Sequence, residues 1–388
     1  MNTSSGTPDL RFIRDEVKAL SAYHVQSSKG MIKLDAMENP FVLPEHLQQE
    51  LGQVLARLEF NRYPGTGIDD LKKQLAQYVD LPAAHDLMLG NGSDELISLL
   101  AMSFMAPGAK VLAPEPGFVM YAMSSQLMGL PYIGVPLRDD FELDEAKMIE
   151  AIDQHQPRIV YLAYPNNPTA NLWDSGTIER IIARVSAYSG VVVMDEAYSP
   201  FSGESWLARM RADPKANAQV ILMRTLSKFG LAGARLGYMI AQTPWIEEIN
   251  KVRPPYNVSV LNAACASFAL SHQEEFKAQA ERVMAERERI FAVLKDTPGL
   301  TPYPSQANMM LVRVELNAKM DSKVSSDLAP HAMAQTVFEG LKARGILVKN
   351  VSKMHPTLSG CLRLTVGTPA ENDAMLAALT EIATTQAG

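Results

Sequence analysis

Continuous apolar runs alternate with amphipathic stretches over the first two thirds of the chain. Ile159–Ala163, Val191–Met194 and Val220–Met223 consist of apolar and aromatic residues only. Such runs are typical of strands that are buried on both faces of a parallel sheet, because a strand with one solvated face alternates. Helical stretches such as Asp174–Ala187 lie between the runs, so the pattern predicts an α/β fold with a mostly parallel central sheet. The same criteria predict strands at Lys110–Ala113 and Tyr132–Val135, and helices at Leu71–Val79 and Asp94–Met105.

The pattern changes after about residue 260. A long stretch rich in Ala, Glu, Arg and Lys, without Gly or Pro, spans Glu274 to Lys295 and predicts a helix leading into a second domain. That domain contains the apolar run Met309–Val314, the amphipathic stretch Met333–Ala343 and a last strand, Cys361–Val366. The chain has 388 residues, beyond the size at which one core stops growing. We expect an N-terminal arm over residues 1–32, a large domain over 33–270 and a smaller α+β domain over 271–388.

Charge and composition argue against several functional classes. The formal net charge is −7, with 36 basic and 43 acidic side chains, so no basic surface for nucleic acid or membrane lipid is indicated. No apolar run approaches the length of a membrane helix, and the N-terminus lacks the apolar segment of a signal peptide. The two cysteines form no CxxC pair, and no two histidines have metal-ligand spacing. These features predict a soluble, cytoplasmic protein without a metal site.

Polar groups follow three of the apolar runs at the point where each run ends. Asp195, Lys228 and Asn167 come after Val191–Met194, Val220–Met223 and Ile159–Ala163, respectively. Taken singly, they could be a helix cap, a surface lysine and a turn residue. In open α/β sheets, however, ligands bind outside the carboxyl ends of the strands, where all three groups would meet.

Pyridoxal phosphate (PLP) requires this combination of groups. Lys228 would form the Schiff base and then act as general base at the substrate Cα, with a pKa lowered by burial and nearby cations. Asp195 would keep the pyridine nitrogen protonated. Tyr198, one helical turn further on, and Asn167 would donate to the ring oxygen. Phe118 follows a strand and either stacks on the ring face or belongs to the core.

A phosphate site is predicted where Gly90-Asn91-Gly92-Ser93-Asp94-Glu95 precedes a helix. Free backbone N–H groups and the helix dipole at such a point hold an anion, although Gly-x-Gly alone is also a common turn signal. Further donors to the same phosphate would come from Thr225, Ser227 and Arg235. The predicted phosphate ligands are therefore Gly92, Ser93, Asp94, Thr225, Ser227 and Arg235.

Several segments resemble the fold-type I aminotransferases, specifically the histidinol-phosphate aminotransferase family. The matching segments are Leu34 to Pro40, Arg62-Tyr63-Pro64, Gly90 to Glu95, Asn166-Asn167-Pro168-Thr169, Asp195-Glu196-Ala197-Tyr198, Thr225-Leu226-Ser227-Lys228 and Cys361 to Thr368. The Asn-Pro-Thr, Asp-x-Ala-Tyr and Ser-Lys motifs mark the superfamily, while the first and last segments point to the narrower family. The resemblance implies a PLP-dependent exchange of the amino group between L-histidinol phosphate and 2-oxoglutarate in histidine biosynthesis.

The resemblance also implies roles for residues outside these strand ends. Tyr63 would reach across a homodimer to the cofactor phosphate of the partner. Arg363 would grip the anionic end of both substrates. Tyr23, on the arm, would contact the substrate or simply pack on the surface.

The chain departs from the family pattern at three points. Ala170 stands where the family usually has Gly after Asn-Pro-Thr, which is tolerable if the backbone φ there is negative. Arg235 lies seven residues after Lys228, one fewer than is common. Lys349 stands in a stretch where many members have a second phosphate-binding arginine, and it would act as a point charge without a bidentate fork.

Two other activities remain open on the same scaffold. The first is an aminotransferase for aromatic or other amino acids, and the second is a phosphothreonine decarboxylase-like enzyme that would need no keto acid. A non-catalytic PLP-binding regulator is disfavoured, because the chain has neither an additional DNA-binding domain nor a basic face.

Overall fold

The structure is a computed structural model that describes residues 8–22, 26–315 and 329–387. The helices are α1 Asp15–Lys18, α2 Glu45–Ala56, α3 Gly67–Tyr78, α4 Ser93–Phe104, α5 Val119–Leu127, α6 Glu145–His155, α7 Ser175–Ser186, α8 Trp206–Ala212, α9 Thr243–Asn250, α10 Val260–Ser271, α11 Gln273–Lys295, α12 Ala329–Ala343 and α13 Pro369–Ala387. The strands are β1 Ile32–Lys33, β2 His85–Gly90, β3 Val111–Glu115, β4 Tyr132–Pro136, β5 Ile159–Ala163, β6 Val191–Asp195, β7 Val220–Thr225, β8 Gly237–Gln242, β9 Leu300–Pro302, β10 Met309–Val314, β11 Ile346–Leu347, β12 Lys349–Asn350 and β13 Cys361–Thr365.

The larger sheet contains seven strands in the order β2-β8-β7-β6-β5-β3-β4. Neighbouring strands from β7 to β4 run parallel, whereas β8 is antiparallel to both β7 and β2. The predicted α/β fold with a mostly parallel central sheet is confirmed. Because β5, β6 and β7 are adjacent, the polar groups that follow them reach the same edge of the sheet.

The two faces of this sheet are buried in two separate cores. Along β6, Val192 and Met194 pack into one core, and Val191 and Val193 pack into the other. The first core includes residues of α3, α6, α7, α8 and α10, and the second includes residues of α4, α5 and α9. Side chains of a strand point alternately to opposite faces, so burial of both faces explains why these runs lack polar positions.

A smaller antiparallel sheet, in the order β12-β13-β10-β9, lies in the C-terminal part of the chain. Its core includes residues of α11, α12 and α13 and also Leu34 and Met37 from the beginning of the chain. In addition, β1 pairs in parallel with β11. The residues around 32–37 thus connect the N-terminal region to the smaller sheet, and the domain boundaries at residues 32 and 270 stay predictions. Within the described ranges, no helix is long and apolar enough to cross a membrane.

Candidate active site

A cavity of about 350 Å³ opens at the carboxyl ends of β5, β6 and β7. This volume lies in the range of small-molecule binding sites. The structure places most of the predicted site residues in its wall. They are Ser93, Asp94, Phe118, Asn167, Asp195, Tyr198, Thr225, Ser227, Lys228 and Arg235.

Lys228 lies in a short helical turn, Ser227–Leu231, directly after β7. Its Nζ donates a hydrogen bond to the carbonyl oxygen of Ala36 at 3.0 Å. Burial, followed by the positive charge of Arg363, lowers the pKa of the Lys228 amine from 10.5 to about 8. A substantial fraction of the amine is therefore neutral near physiological pH, and a neutral amine is the form that acts as nucleophile or base.

Asp195 ends β6 and is 4% exposed. Burial raises the pKa of its carboxyl group to about 6, although two hydrogen bonds oppose this rise. The Tyr121 hydroxyl donates to Oδ2 at 2.7 Å, and the Ala197 backbone N–H donates to Oδ1 at 3.0 Å. Tyr121 also lines the cavity, and sequence reasoning missed it. The available signal was its place in the segment after Phe118, whose ring it meets edge-on at 5.6 Å.

Asn167 and Arg363 are brought together from distant parts of the chain. The Arg363 Nη1 donates to Asn167 Oδ1 at 2.8 Å, and the Asn167 amide donates to the Tyr198 hydroxyl at 2.9 Å. A second guanidinium nitrogen of Arg363 donates to the Asp35 carbonyl oxygen at 2.8 Å. A cation from β13 is therefore held next to the amide that follows β5.

The part of the cavity wall formed by Ser93, Asp94, Ser227 and Arg235 is suited to an anion. Helix α4 begins at Ser93, and its N-cap residue, Gly92, has a φ of 83° and no side chain to cap the first-turn N–H groups. Arg235 Nη2 lies 3.3 Å from Asp94 Oδ2, and its Nη1 lies 3.5 Å from Ser227 Oγ. A Cβ at Gly92 would lie only 2.7 Å from the Arg235 guanidinium, and the left-handed φ of 83° favours glycine at this position. A helix N-terminus, hydroxyl groups and a guanidinium thus converge.

Five predicted residues lie outside the cavity wall or outside the described residues: Gly92 and Arg363, described above, and Tyr63, Lys349 and Tyr23. Tyr63 is 77% exposed, and its ring stacks on that of Tyr256 with centroids 4.5 Å apart. Lys349 lies directly opposite Arg363 in the β12–β13 pair, so their side chains share one face of the smaller sheet. Tyr23 lies outside the described residues.

The expectation for Ala170 needs correction. The residue has a φ of 65°, in the left-handed region, and not the negative φ under which alanine is unstrained. Both polar groups of its backbone are nevertheless hydrogen-bonded. The Ala170 N–H donates to the Asn166 carbonyl at 2.9 Å, and the Ala170 carbonyl accepts from the Gln306 N–H at 2.7 Å. These contacts and complete burial hold an alanine in a conformation that costs about 1–2 kcal/mol for a residue with a Cβ.

Sequence reasoning also missed the segment Ala36–Glu38, which it treated only as part of a family signature. All three residues line the cavity. Thr365 Oγ1 accepts from the Met37 N–H at 3.0 Å, and the Asn308 amide donates to the Met37 carbonyl at 2.9 Å. This segment is held by the smaller sheet and covers the amine of Lys228, which no local sequence pattern indicates.

Comparisons with known proteins identify the family of the chain. Residues 29–379 match the family "Aminotransferase class I and II". Two curated relatives are named histidinol-phosphate aminotransferase: one from Acidovorax ebreus, 56% identical over 97% of this chain and 98% of its own, and one from Methylibium petroleiphilum, 55% identical over 97% and 98%. A solved structure of histidinol-phosphate aminotransferase from Sinorhizobium meliloti, in complex with pyridoxal-5'-phosphate, superposes with a TM-score of 0.80 at 25% identity, covering 98% of this chain and 99% of that one.

Proposed function

The chain belongs to the aminotransferase class I and II family, and we propose that it transfers the amino group between L-histidinol phosphate and 2-oxoglutarate. The products are imidazole acetol phosphate and L-glutamate, in histidine biosynthesis. The observation that carries the reaction class is the cavity that Lys228 shares with the buried carboxylate of Asp195 and the start of helix α4. The choice of substrate rests on the curated relatives that share about half of their residues with this chain.

The residues of the cavity fit pyridoxal phosphate. Asp195 is a buried carboxylate suited to a protonated ring nitrogen, and the start of α4 with Arg235 is suited to the phosphate. Asn167 and Tyr198 would hold the ring oxygen, and Phe118 would pack against the ring. When bound, the cofactor supplies a sink for the electrons of the bond that breaks at the substrate Cα.

Lys228 moves the proton in this proposal. Its Nζ is largely buried and carries a pKa of about 8, so the neutral amine accepts the proton from the Cα of the amino donor. The same amine returns a proton to Cα when 2-oxoglutarate is converted to glutamate. The positive charge of Arg363 favours the neutral form of Lys228. The residue that binds the substrate anion therefore also affects the protonation of the base.

Arg363 binds the anionic end of both substrates in turn. The phosphate of histidinol phosphate and a carboxylate of 2-oxoglutarate both accept two hydrogen bonds from a guanidinium. Contacts with Asn167 and the Asp35 carbonyl set the orientation of this guanidinium. Lys349 adds positive charge on the same face of the smaller sheet and assists with the phosphate.

We further propose a homodimer in which Tyr63 contacts the cofactor phosphate of the partner. The exposed stack of Tyr63 on Tyr256 supports this, because it leaves two aromatic rings uncovered within one chain. Mixing a Lys228→Ala variant with a Tyr63→Phe variant tests it, since only hybrid dimers regain one intact site. A cytoplasmic location is proposed from the cysteines, which are both free in the structure.

The first experiment is an absorbance spectrum of the purified protein before and after addition of histidinol phosphate, without a keto acid. We expect loss of the visible band of the lysine-bound cofactor and its return with 2-oxoglutarate. A band that responds only to aromatic amino acids would indicate an aromatic aminotransferase, and release of carbon dioxide would indicate a decarboxylase. Absence of any band after PLP addition, or a borohydride-stable adduct in Lys228→Ala, would overturn the site.

A further inference from the structure

Two buried tyrosines near Asp195 differ in whether the hydroxyl group is hydrogen-bonded. Tyr121 on α5 and Tyr161 on β5 are each 1% exposed, and their rings stack with centroids 4.3 Å apart and planes within 5°. The Tyr121 hydroxyl donates to Asp195 Oδ2 at 2.7 Å. The Tyr161 hydroxyl has no hydrogen-bond partner among the residues that the structure describes.

We propose that Tyr121 is a positioning residue, which keeps Asp195 anionic and orients its carboxylate toward the pyridine nitrogen of the cofactor. This inference rests on the proposed function, because it assumes that the cavity binds PLP. It adds a residue that none of the motifs in the sequence indicated.

The geometry gives Tyr121 a defined effect on the orientation of Asp195. One carboxylate oxygen accepts from Tyr121 and the other accepts from the Ala197 N–H. With both oxygens engaged from the protein side, rotation of the carboxylate breaks at least one hydrogen bond. Asp195 is 4% exposed, so water cannot readily replace a lost donor. Tyr121 also lines the cavity, next to Phe118.

The electrostatic surroundings give Tyr121 a second effect, on the charge of Asp195. The titratable groups around Asp195 are Tyr121, Tyr161, Tyr198, Asp94 and Glu196. Burial and the two carboxylates raise the pKa of Asp195, whereas the Tyr121 hydroxyl and the Ala197 N–H lower it, which leaves it at about 6. Glu196 is itself ion-paired with Arg224 at 2.7 Å. Without the Tyr121 donor the pKa rises further, and Asp195 takes up a proton near neutral pH.

A protonated Asp195 cannot stabilise a positive charge on the pyridine nitrogen. A raised pKa means that the ionised fraction falls as the pH falls through the new value. Loss of the donor should therefore weaken PLP binding at mildly acidic pH and have little effect at alkaline pH, where Asp195 is ionised in either case.

The test compares Tyr121→Phe with Tyr161→Phe, two variants that each remove one hydroxyl from the same ring stack. Holoenzyme is dialysed against graded PLP concentrations, and the dissociation constant is measured from the cofactor band at pH 6.5 and pH 8.5. For Tyr121→Phe we expect a dissociation constant about tenfold higher than wild type at pH 6.5 and within about twofold of it at pH 8.5. For Tyr161→Phe we expect wild-type values at both pH values.

Three outcomes would overturn the proposal. They are wild-type binding by Tyr121→Phe at pH 6.5; an equal loss at both pH values, which would show that Tyr121 does not keep Asp195 anionic; and an equal loss in Tyr161→Phe, which would assign the effect to packing. If Tyr121→Phe does not fold, a fluorinated tyrosine at position 121 replaces it. This residue keeps the hydroxyl and strengthens it as a donor, so PLP binding at pH 6.5 should match or exceed wild type, and weaker binding would refute the proposal.

The measurement separates this inference from the proposed substrate. Wild-type protein that binds PLP but ignores histidinol phosphate would contradict the substrate assignment and leave the role of Tyr121 testable. Wild-type protein that binds no PLP at either pH would refute both.

Discussion

Lys228 is predicted to react with PLP at a much lower pH than an ordinary lysine. Its pKa is lowered from 10.5 to about 8. At pH 7.5 the neutral fraction of the amine is then about 0.24, compared with about 0.001 for an unshifted lysine, a ratio of about 240. Because only the neutral amine attacks the cofactor aldehyde, the attachment rate should rise with pH around a midpoint near 8.

Replacing Arg363 with Gln should move this midpoint upward. Burial is the largest cause of the lowered pKa of Lys228 and the charge of Arg363 is the next, so the variant keeps part of the effect. A midpoint one pH unit higher would slow attachment at pH 7.5 by about eightfold. The matched control is Lys349→Gln, which removes one positive charge from the residue opposite Arg363 and outside the cavity wall. We expect a smaller shift from it.

The assay follows the growth of the cofactor band after PLP is added to enzyme stripped of its cofactor, between pH 6.5 and pH 10. Near-UV circular dichroism of each stripped variant checks that the fold is retained. A wild-type midpoint near 10.5 would refute the effect of burial. An Arg363→Gln midpoint at or below the wild-type value would refute the coupling between the two cations.

Other predictions concern the packing around the site. Arg224→Met leaves the fully buried Glu196 carboxylate without its ion pair and should lower the free energy of unfolding by about 3–5 kcal/mol in urea titrations, whereas the double variant with Glu196→Gln should lose less. Gly92→Ala should weaken PLP binding at equilibrium because its Cβ would meet the Arg235 guanidinium; Gly108→Ala, which also has a left-handed φ but where a Cβ meets nothing within 4 Å, should bind normally. Ala170→Gly should change unfolding stability by less than about 1 kcal/mol, because relief of the left-handed strain offsets the lost methyl group and the added chain entropy; a loss above about 2 kcal/mol would contradict this.

The sequence alone determined the central sheet and the residues at its edge. The runs that became β5, β6 and β7 could be identified because burial on both faces leaves no polar position within them. The placement of Asp195, Lys228 and Asn167 together followed from the rule that parallel strands present their carboxyl ends to one crevice. The start of α4 after Gly92 could also be predicted, because a helix start without a side-chain cap is a local property of the chain.

Contacts between distant parts of the chain were decided only by the tertiary structure. Tyr121 is 74 positions from Asp195, and Arg363 is 196 positions from Asn167. Periodicity and turn chemistry describe neighbours in sequence, so they carry no information about such pairs, and Arg363 was indicated only by resemblance to a family. The left-handed φ of Ala170 was missed for a related reason. Its cost is balanced by a hydrogen bond to Gln306, which lies far along the chain, and the local sequence shows only the alanine.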